Sequence, residues 1–126
     1  MTSVIEQCQP EPTAIAGIAH ATWAGEAHGL AQLSVWRQSL APGAGTPPHL
    51  HDCDEAVICL GGEGELHAEG RQQRFGARSI LILPRGRVHQ IFNVGTEPLE
   101  VLGMFGQSPV PTRRPDGEPL PLPWRS

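Results

Sequence analysis

Alternating apolar and polar positions recur along most of the chain, in stretches too short for a helix of ordinary length and punctuated by fifteen glycines and thirteen prolines. Stretches rich in Val, Ile, Leu and Phe and bounded by turn residues are the signature of strands. The pattern predicts strands over 32–40, 49–60, 64–68, 72–75, 79–83, 89–94 and 99–105. Glu69-Gly70-Arg71 is placed at a hairpin tip and 95–98 in a loop between two further strands. The Ala- and Gly-rich segment 14–30 shows no period and is left unassigned. Six of the thirteen prolines fall in the last eighteen residues, which excludes a regular helix or a central strand there. An extended, Pro-rich tail is therefore expected over 109–126. Its apolar end, Leu120 to Trp124, should pack on the rest of the fold or on a neighbouring subunit.

These elements give an all-β fold, and a length of 126 residues suits a single domain over 1–126. A hydrophobic fraction of 39% and a charged fraction of 17% are ordinary for a soluble globular protein. No apolar run approaches the ~20 residues of a membrane helix, so no membrane partner is expected. Residues 2–9 carry Glu6 and no basic residue, the wrong build for a secretory signal, and a cytoplasmic location is the expectation. Nine Lys and Arg against thirteen Asp and Glu, a net charge of -4, include no basic cluster to neutralise phosphates, which argues against a nucleic-acid partner. Cys8, Cys53 and Cys59 match neither a zinc-ribbon spacing nor a disulfide framework and are read as reduced thiols.

The chemistry-bearing residues gather in two places. Side chains two apart in a strand share a face, so His49 and His51 look the same way, and Glu55, Val57 and Cys59 continue that parity. Two imidazoles and a carboxylate on one buried face each need a partner, and a metal ion satisfies all three. A further imidazole, His89, follows the turn Pro84-Arg85-Gly86 at the start of another predicted strand, where a barrel can bring it across.

The stretch Gly43-(five residues)-His49-Leu50-His51-(three residues)-Glu55-(six residues)-Gly62 resembles the first motif of the cupin superfamily at every spacing. Pro84-Arg85-Gly86-(two residues)-His89-(three residues)-Asn93 resembles the second. The resemblance covers about 33–105 and is to small single-domain monocupins. It implies a jelly-roll barrel, the cupin double-stranded β-helix, holding one divalent transition metal on His49, His51, Glu55 and His89. One departure is that the second motif usually opens with Gly-Asp five residues before its proline, where this chain has Arg78-Ser79.

Three imidazoles and one carboxylate suit Fe, Mn, Ni, Zn, Cu or Co, and affinity alone does not choose among them. The resemblance puts a metal-dependent, dioxygenase-type oxidoreductase acting on a small organic substrate first. Beside it stand a non-oxidative isomerase or lyase and a non-catalytic cupin that binds or senses a small molecule. A homodimer is expected, because such barrels often pair edge strands and both terminal segments are apolar in places. Of the remaining candidates, Cys53 is read as a small residue in a loop at the barrel mouth, Cys59 as a wall of the interior and His67 as a half-exposed structural histidine. His20 and His28 are placed at the surface. Asn93 is expected to fix the barrel by a hydrogen bond. Arg85 and Arg87 could meet an anionic substrate at the mouth, and Trp36, Phe92, Met104 and Phe105 are expected as core or pocket walls.

Overall fold

A computed structural model describes residues 2–126. The strands are β1 (Glu11–Pro12), β2 (Ile18–Ala24), β3 (Ser34–Leu40), β4 (Leu50–His51), β5 (Glu55–Gly61), β6 (Glu63–Ala68), β7 (Arg71–Gly76), β8 (Ile80–Leu83), β9 (His89–Asn93), β10 (Leu99–Phe105) and β11 (Thr112–Arg113). The helical content among the described residues is a single turn of 3-10 helix, Glu26–His28, so none is long and apolar enough to cross a membrane.

Six strands form one antiparallel sheet in the order β1-β2-β3-β10-β5-β8. The facing layer is built from β7-β6-β9 and from β11-β4, joined through bridges that pair Gly45 with Phe92 and His49 with His89. This is the jelly-roll arrangement that the resemblance implies, built from strands that the alternation predicts. Ser34, Trp36, Gln38 and Leu40 of β3 point inward and the residues between them do not; β10 and β5 repeat the pattern with Leu99, Val101 and Phe105 and with Glu55, Val57 and Cys59. Leu40, Val57 and Leu99 are at most 1% exposed, and burial of each contributes roughly 1.5–3 kcal/mol. Trp36 lies flat against β10 because Gly103 has no side chain: a Cβ there would sit 2.0 Å from the indole.

Two readings change. The predicted strand 49–60 is interrupted at Asp52–Asp54, where the chain bends before β5. The unassigned segment 14–30 contains β2, which pairs with β3 from Ile18↔Leu40 to Ala24↔Val35. Its low contrast has a cause, since Ala19 and Ala21 leave little difference between the strand's two faces. The tail packs on the barrel, one of the two outcomes expected of it: β11 pairs with β4 in the register Thr112↔His51 and Arg113↔Leu50, and Trp124 packs against the core.

The departure at Arg78-Ser79 turns out to preserve the turn. Arg78 has φ +79, the left-handed conformation that suits glycine, and Ser79 Oγ accepts a hydrogen bond from the Gly76 N–H at 3.1 Å. A side chain at that φ costs roughly 1–2 kcal/mol, partly offset by the lower entropy of a non-glycine unfolded chain. Arg78→Gly is therefore expected to raise stability by about 0.5 kcal/mol, seen as a higher urea midpoint; a lower midpoint would show that the turn has adapted to arginine.

Candidate metal centre

The three histidines reach one point from two directions. His49 and His51 flank the start of β4, and the bridge between His49 and His89 brings β9 alongside. One ring nitrogen from each lies within 4.8 Å of the others. Glu55, first residue of β5, faces the same space despite the bend before it. Its Oε1 is 3.3 Å from Nε2 of His89 and 3.8 Å from Nε2 of His51.

Each ring is oriented from behind. Nδ1 of His49 donates to Pro47 O at 2.7 Å, Nδ1 of His51 to Pro111 O at 3.2 Å and Nδ1 of His89 to Arg87 O at 3.0 Å. A carbonyl only accepts, so the proton of each neutral ring is on Nδ1 and Nε2 presents a bare lone pair. This is the outer-shell arrangement by which proteins aim imidazoles at a metal.

The electrostatics agree. Burial lowers the pKa of His49 to about 4, helped by the neighbouring His89, and burial likewise lowers that of His51 to about 4. Burial acts downward on His89 too, but the Glu55 carboxylate outweighs it and the net shift is upward. Glu55 Oε1 is buried and makes no well-aligned hydrogen bond, its nearest polar neighbour being His89 Nε2 at 3.3 Å, an expensive state for a carboxylate oxygen. A divalent transition ion fits these four residues: it would give the Glu55 carboxylate a cationic partner, take the prepared lone pairs of His49 and His51, and displace the proton that Glu55 favours on His89.

The cluster opens into a cavity of about 140 Å³. Its apolar walls include Ile15, Ile18, Ile91 and Phe105, and the tail adds Leu122 and Trp124. A cavity near 150 Å³ holds about one benzene ring. Trp36 also lines it, and its Nε1 is buried without a partner.

His20 is not at the surface. It is 8% exposed, stacked on Trp124 at a ring distance of 4.4 Å and on Trp36 at 6.2 Å. Its Nδ1 meets Gln38 Nε2 at 3.1 Å and its Nε2 meets Thr22 Oγ1 at 2.8 Å, while the Thr22 hydroxyl donates to Arg125 O at 2.9 Å. The imidazole thus ties the tail to β2 and β3. Sequence reasoning missed this because β2 had not been recognised; as a strand, Ile18 and His20 share a face.

Phe92 and Met104 are half-buried on the outer side of their strands and do not line the cavity. Phe92 packs instead on Gly45 and on His67, whose ring is 4.5 Å away and whose Nε2 meets Glu65 Oε1 at 2.7 Å. Arg85 and Arg87 lie away from this cavity. His28 is exposed. Asn93 donates to Leu40 O at 2.9 Å and to Glu97 O at 2.8 Å, fixing β9 to the end of β3 and to the loop before β10. Cys53 sits in the bend after β4 but is buried in the core, as is Cys59, and burial raises both thiol pKa values, which disfavours the reactive thiolate.

Comparison with known proteins places these residues in a family context. The cupin domain profile matches residues 36–105. Auxin-binding protein T92 of Nicotiana tabacum is 38% identical over 106 residues, covering 75% of this chain and 57% of that protein. Auxin-binding protein 1 of Arabidopsis thaliana is 34% identical over 104 residues, covering 75% and 52%. The chain thus spans just over half the length of these relatives. Among solved structures, the polyketide cyclase RemF of Streptomyces resistomycificus superposes with a TM-score of 0.72 at 18% identity, covering 87% of this chain and 84% of that one, a likeness of fold alone.

Proposed function

The chain belongs to the cupin superfamily, and from that premise we propose that it is a metal-dependent cupin that binds a small organic acid, with His49, His51, Glu55 and His89 holding the ion. The observation that carries this is Glu55 Oε1, buried without a well-aligned hydrogen bond amid three imidazoles whose other nitrogens all face backbone carbonyls.

A bound ion supplies a Lewis-acidic centre on which a carboxylate, hydroxyl or enolate oxygen can settle. The protein does the rest. The Nδ1–H bonds to Pro47, Pro111 and Arg87 hold the three rings. Ile18, Ile91 and Phe105 exclude water and favour an apolar body of about one ring. The unpartnered Nε1–H of Trp36 offers a donor to a ligand acceptor, and Trp124 closes the outer side. The similarity to auxin-binding proteins supports an acid with an apolar body as the ligand class.

The test is elemental mass spectrometry of the purified protein, followed by calorimetric titration of the metal-loaded form with small carboxylic acids, an auxin among them, and with their methyl esters. Stoichiometric metal and acids binding well above their esters are expected. Absence of metal, or equal binding of acids and esters, would overturn the reading. Trp124→Ala should weaken the best acid by about tenfold through loss of the outer wall, and the same titration measures it.

A second reading is the dioxygenase-type enzyme that the resemblance puts first. It is favoured by the donor count, since four protein ligands leave positions open on a six-coordinate ion. Oxygen uptake after Fe(II) loading, against diketones, catechols, flavonols and thiols, separates turnover from binding. For assembly we propose a homodimer, a reading supported by Val4, fully exposed, and Ile5, 52% exposed, which an apolar partner surface would cover. A monomeric mass by light scattering would rule it out.

A further inference from the structure

We propose that the protein carries a second small-molecule site, at the seam where the two sheets part between β7 and β8, and that this site takes an amphipathic carboxylate with an acyl or aryl-alkyl body.

The seam follows from the topology. β7 is the edge of the three-stranded sheet and β8 the edge of the six-stranded one, and the two do not pair. The gap between them is a cavity of about 350 Å³, larger than the one beside the histidines. Leu66, Phe75, Leu81 and Leu83 form its floor. Leu81 and Leu83 are 4% and 3% exposed, so the floor is the barrel's own core seen from the side. The outer lip carries Ile80 and Ile82, exposed at 60% and 70%.

The rim has the opposite character. Arg71, Arg74 and Arg87 border the cavity against a single acidic residue, Glu69, in a chain whose net charge is -4. None of the three guanidinium groups is firmly engaged. Arg74 reaches Glu65 at 3.2 Å while 68% exposed, Arg87 reaches Glu69 at 3.4 Å while 60% exposed, and Arg71 has no ion pair among the described residues. Exposed pairs of this kind are worth little and exchange readily, whereas a carboxylate can take two parallel bonds from one arginine. An apolar floor under a cationic rim selects a molecule with an apolar body and one anionic end. A cation is repelled at the rim, and a neutral hydrocarbon leaves the rim unused.

The position of this cavity gives it a consequence. His89 borders both cavities, and the carbonyl that orients its ring belongs to Arg87. A carboxylate that draws the Arg87 guanidinium away from Glu69 pulls on the residue whose backbone aims His89. Occupancy of the seam is therefore coupled to the metal centre, and by linkage metal binding is coupled equally to the seam.

The experiment is a titration of the metal-loaded, full-length protein with octanoate and with octanol, followed by methyl NMR. Octanoate is expected to shift the methyls of Ile80, Leu81, Ile82 and Leu83 saturably, and octanol to do so only weakly. The double variant Arg71→Glu with Arg74→Glu changes exposed residues away from the metal ligands, and it should weaken octanoate by about tenfold with metal content and circular dichroism unchanged. Octanoate is also expected to alter the metal affinity of the wild type and not that of the double variant. Shifts confined to Leu120 and Leu122 of the first cavity would overturn the proposal. So would equal binding of octanol and octanoate, or octanoate affinity indifferent to the charge reversal.

Discussion

His89→Ala is expected to strip the protein of its metal while leaving the barrel folded. The histidine supplies one of three ring nitrogens that lie within 4.8 Å of one another, and it is the one closest to the Glu55 carboxylate. Losing an outer-shell partner of a ligand already costs 10–100-fold in metal affinity, so losing the ligand itself should cost more than about a hundredfold. Folding should survive because the backbone of β9 keeps its pairing with β6, from Gly64↔Asn93 to Ala68↔His89, whatever the side chain. The stability cost is that of a small cavity and one lost hydrogen bond to Arg87 O, about 2 kcal/mol. Elemental analysis after exhaustive buffer exchange, with thermal melts on both proteins, reads the two effects separately. Full metal content in the variant would show that the ion sits elsewhere, and an unfolded variant would show that the His89 side chain is needed for the barrel. Glu55→Gln is the companion experiment. It keeps the shape but removes the charge, so retention of metal there with loss in His89→Ala would assign Glu55 a weaker hold than the imidazoles.

The candidate site was legible because its signal is local. His49, His51 and Glu55 fall within seven residues, and the parity of an extended chain is enough to put them on one face. His89 lies forty residues further on; its place at the start of a further strand made the meeting feasible, the resemblance to cupins implied it, and the bridge between His49 and His89 is the physical link. The strands of the barrel were legible for the same reason: β3, β5, β9 and β10 alternate strongly because one side faces the core. Where the contrast between faces is low the reading failed. β2 hides among alanines, and with it went the correct placement of His20. The bend at Asp52–Asp54 was expected around Cys53, though not as a break in the strand, and Glu55 returns to the inner face after it. Phe92 and Met104 were misplaced because large apolar residues were assumed to face inward, whereas Phe92 finds its partner on the outside, over Gly45. The role of the tail was the least legible. Proline content correctly excludes helix, but nothing in composition says that Pro111 supplies the carbonyl holding His51 or that Trp124 covers His20.

Acidification should destabilise the metal-free protein, through histidines buried in the neutral form. The pKa values of His20, His49 and His51 are lowered from 6.5 to about 4, in each case chiefly by burial. Between those two values the unfolded chain binds protons that the folded one refuses, so stability is present above pH 6.5 and is lost as pH falls towards 4. His89 has the opposite sign: its raised folded pKa gives stability that is present below the unfolded value and fades as pH rises through the folded one. Three groups against one leave a net loss on acidification. A bound ion would remove the opposing contribution of His89 by displacing its proton, so the metal-loaded protein should lose stability more steeply over the same window. The share of His20 can be isolated because it lies outside the metal cluster. At pH 5 its shift corresponds to about 2 kcal/mol, and His20→Phe keeps an aromatic ring between Trp36 and Trp124 without a titrating group. Urea unfolding at pH 7 and pH 5 should therefore show the variant losing about 2 kcal/mol less than the wild type between the two, even though it starts lower for want of the bonds to Gln38 and Thr22. If the two proteins lose the same amount, His20 is not buried neutral, and the contact between tail and barrel that rests on it must be held in some other way.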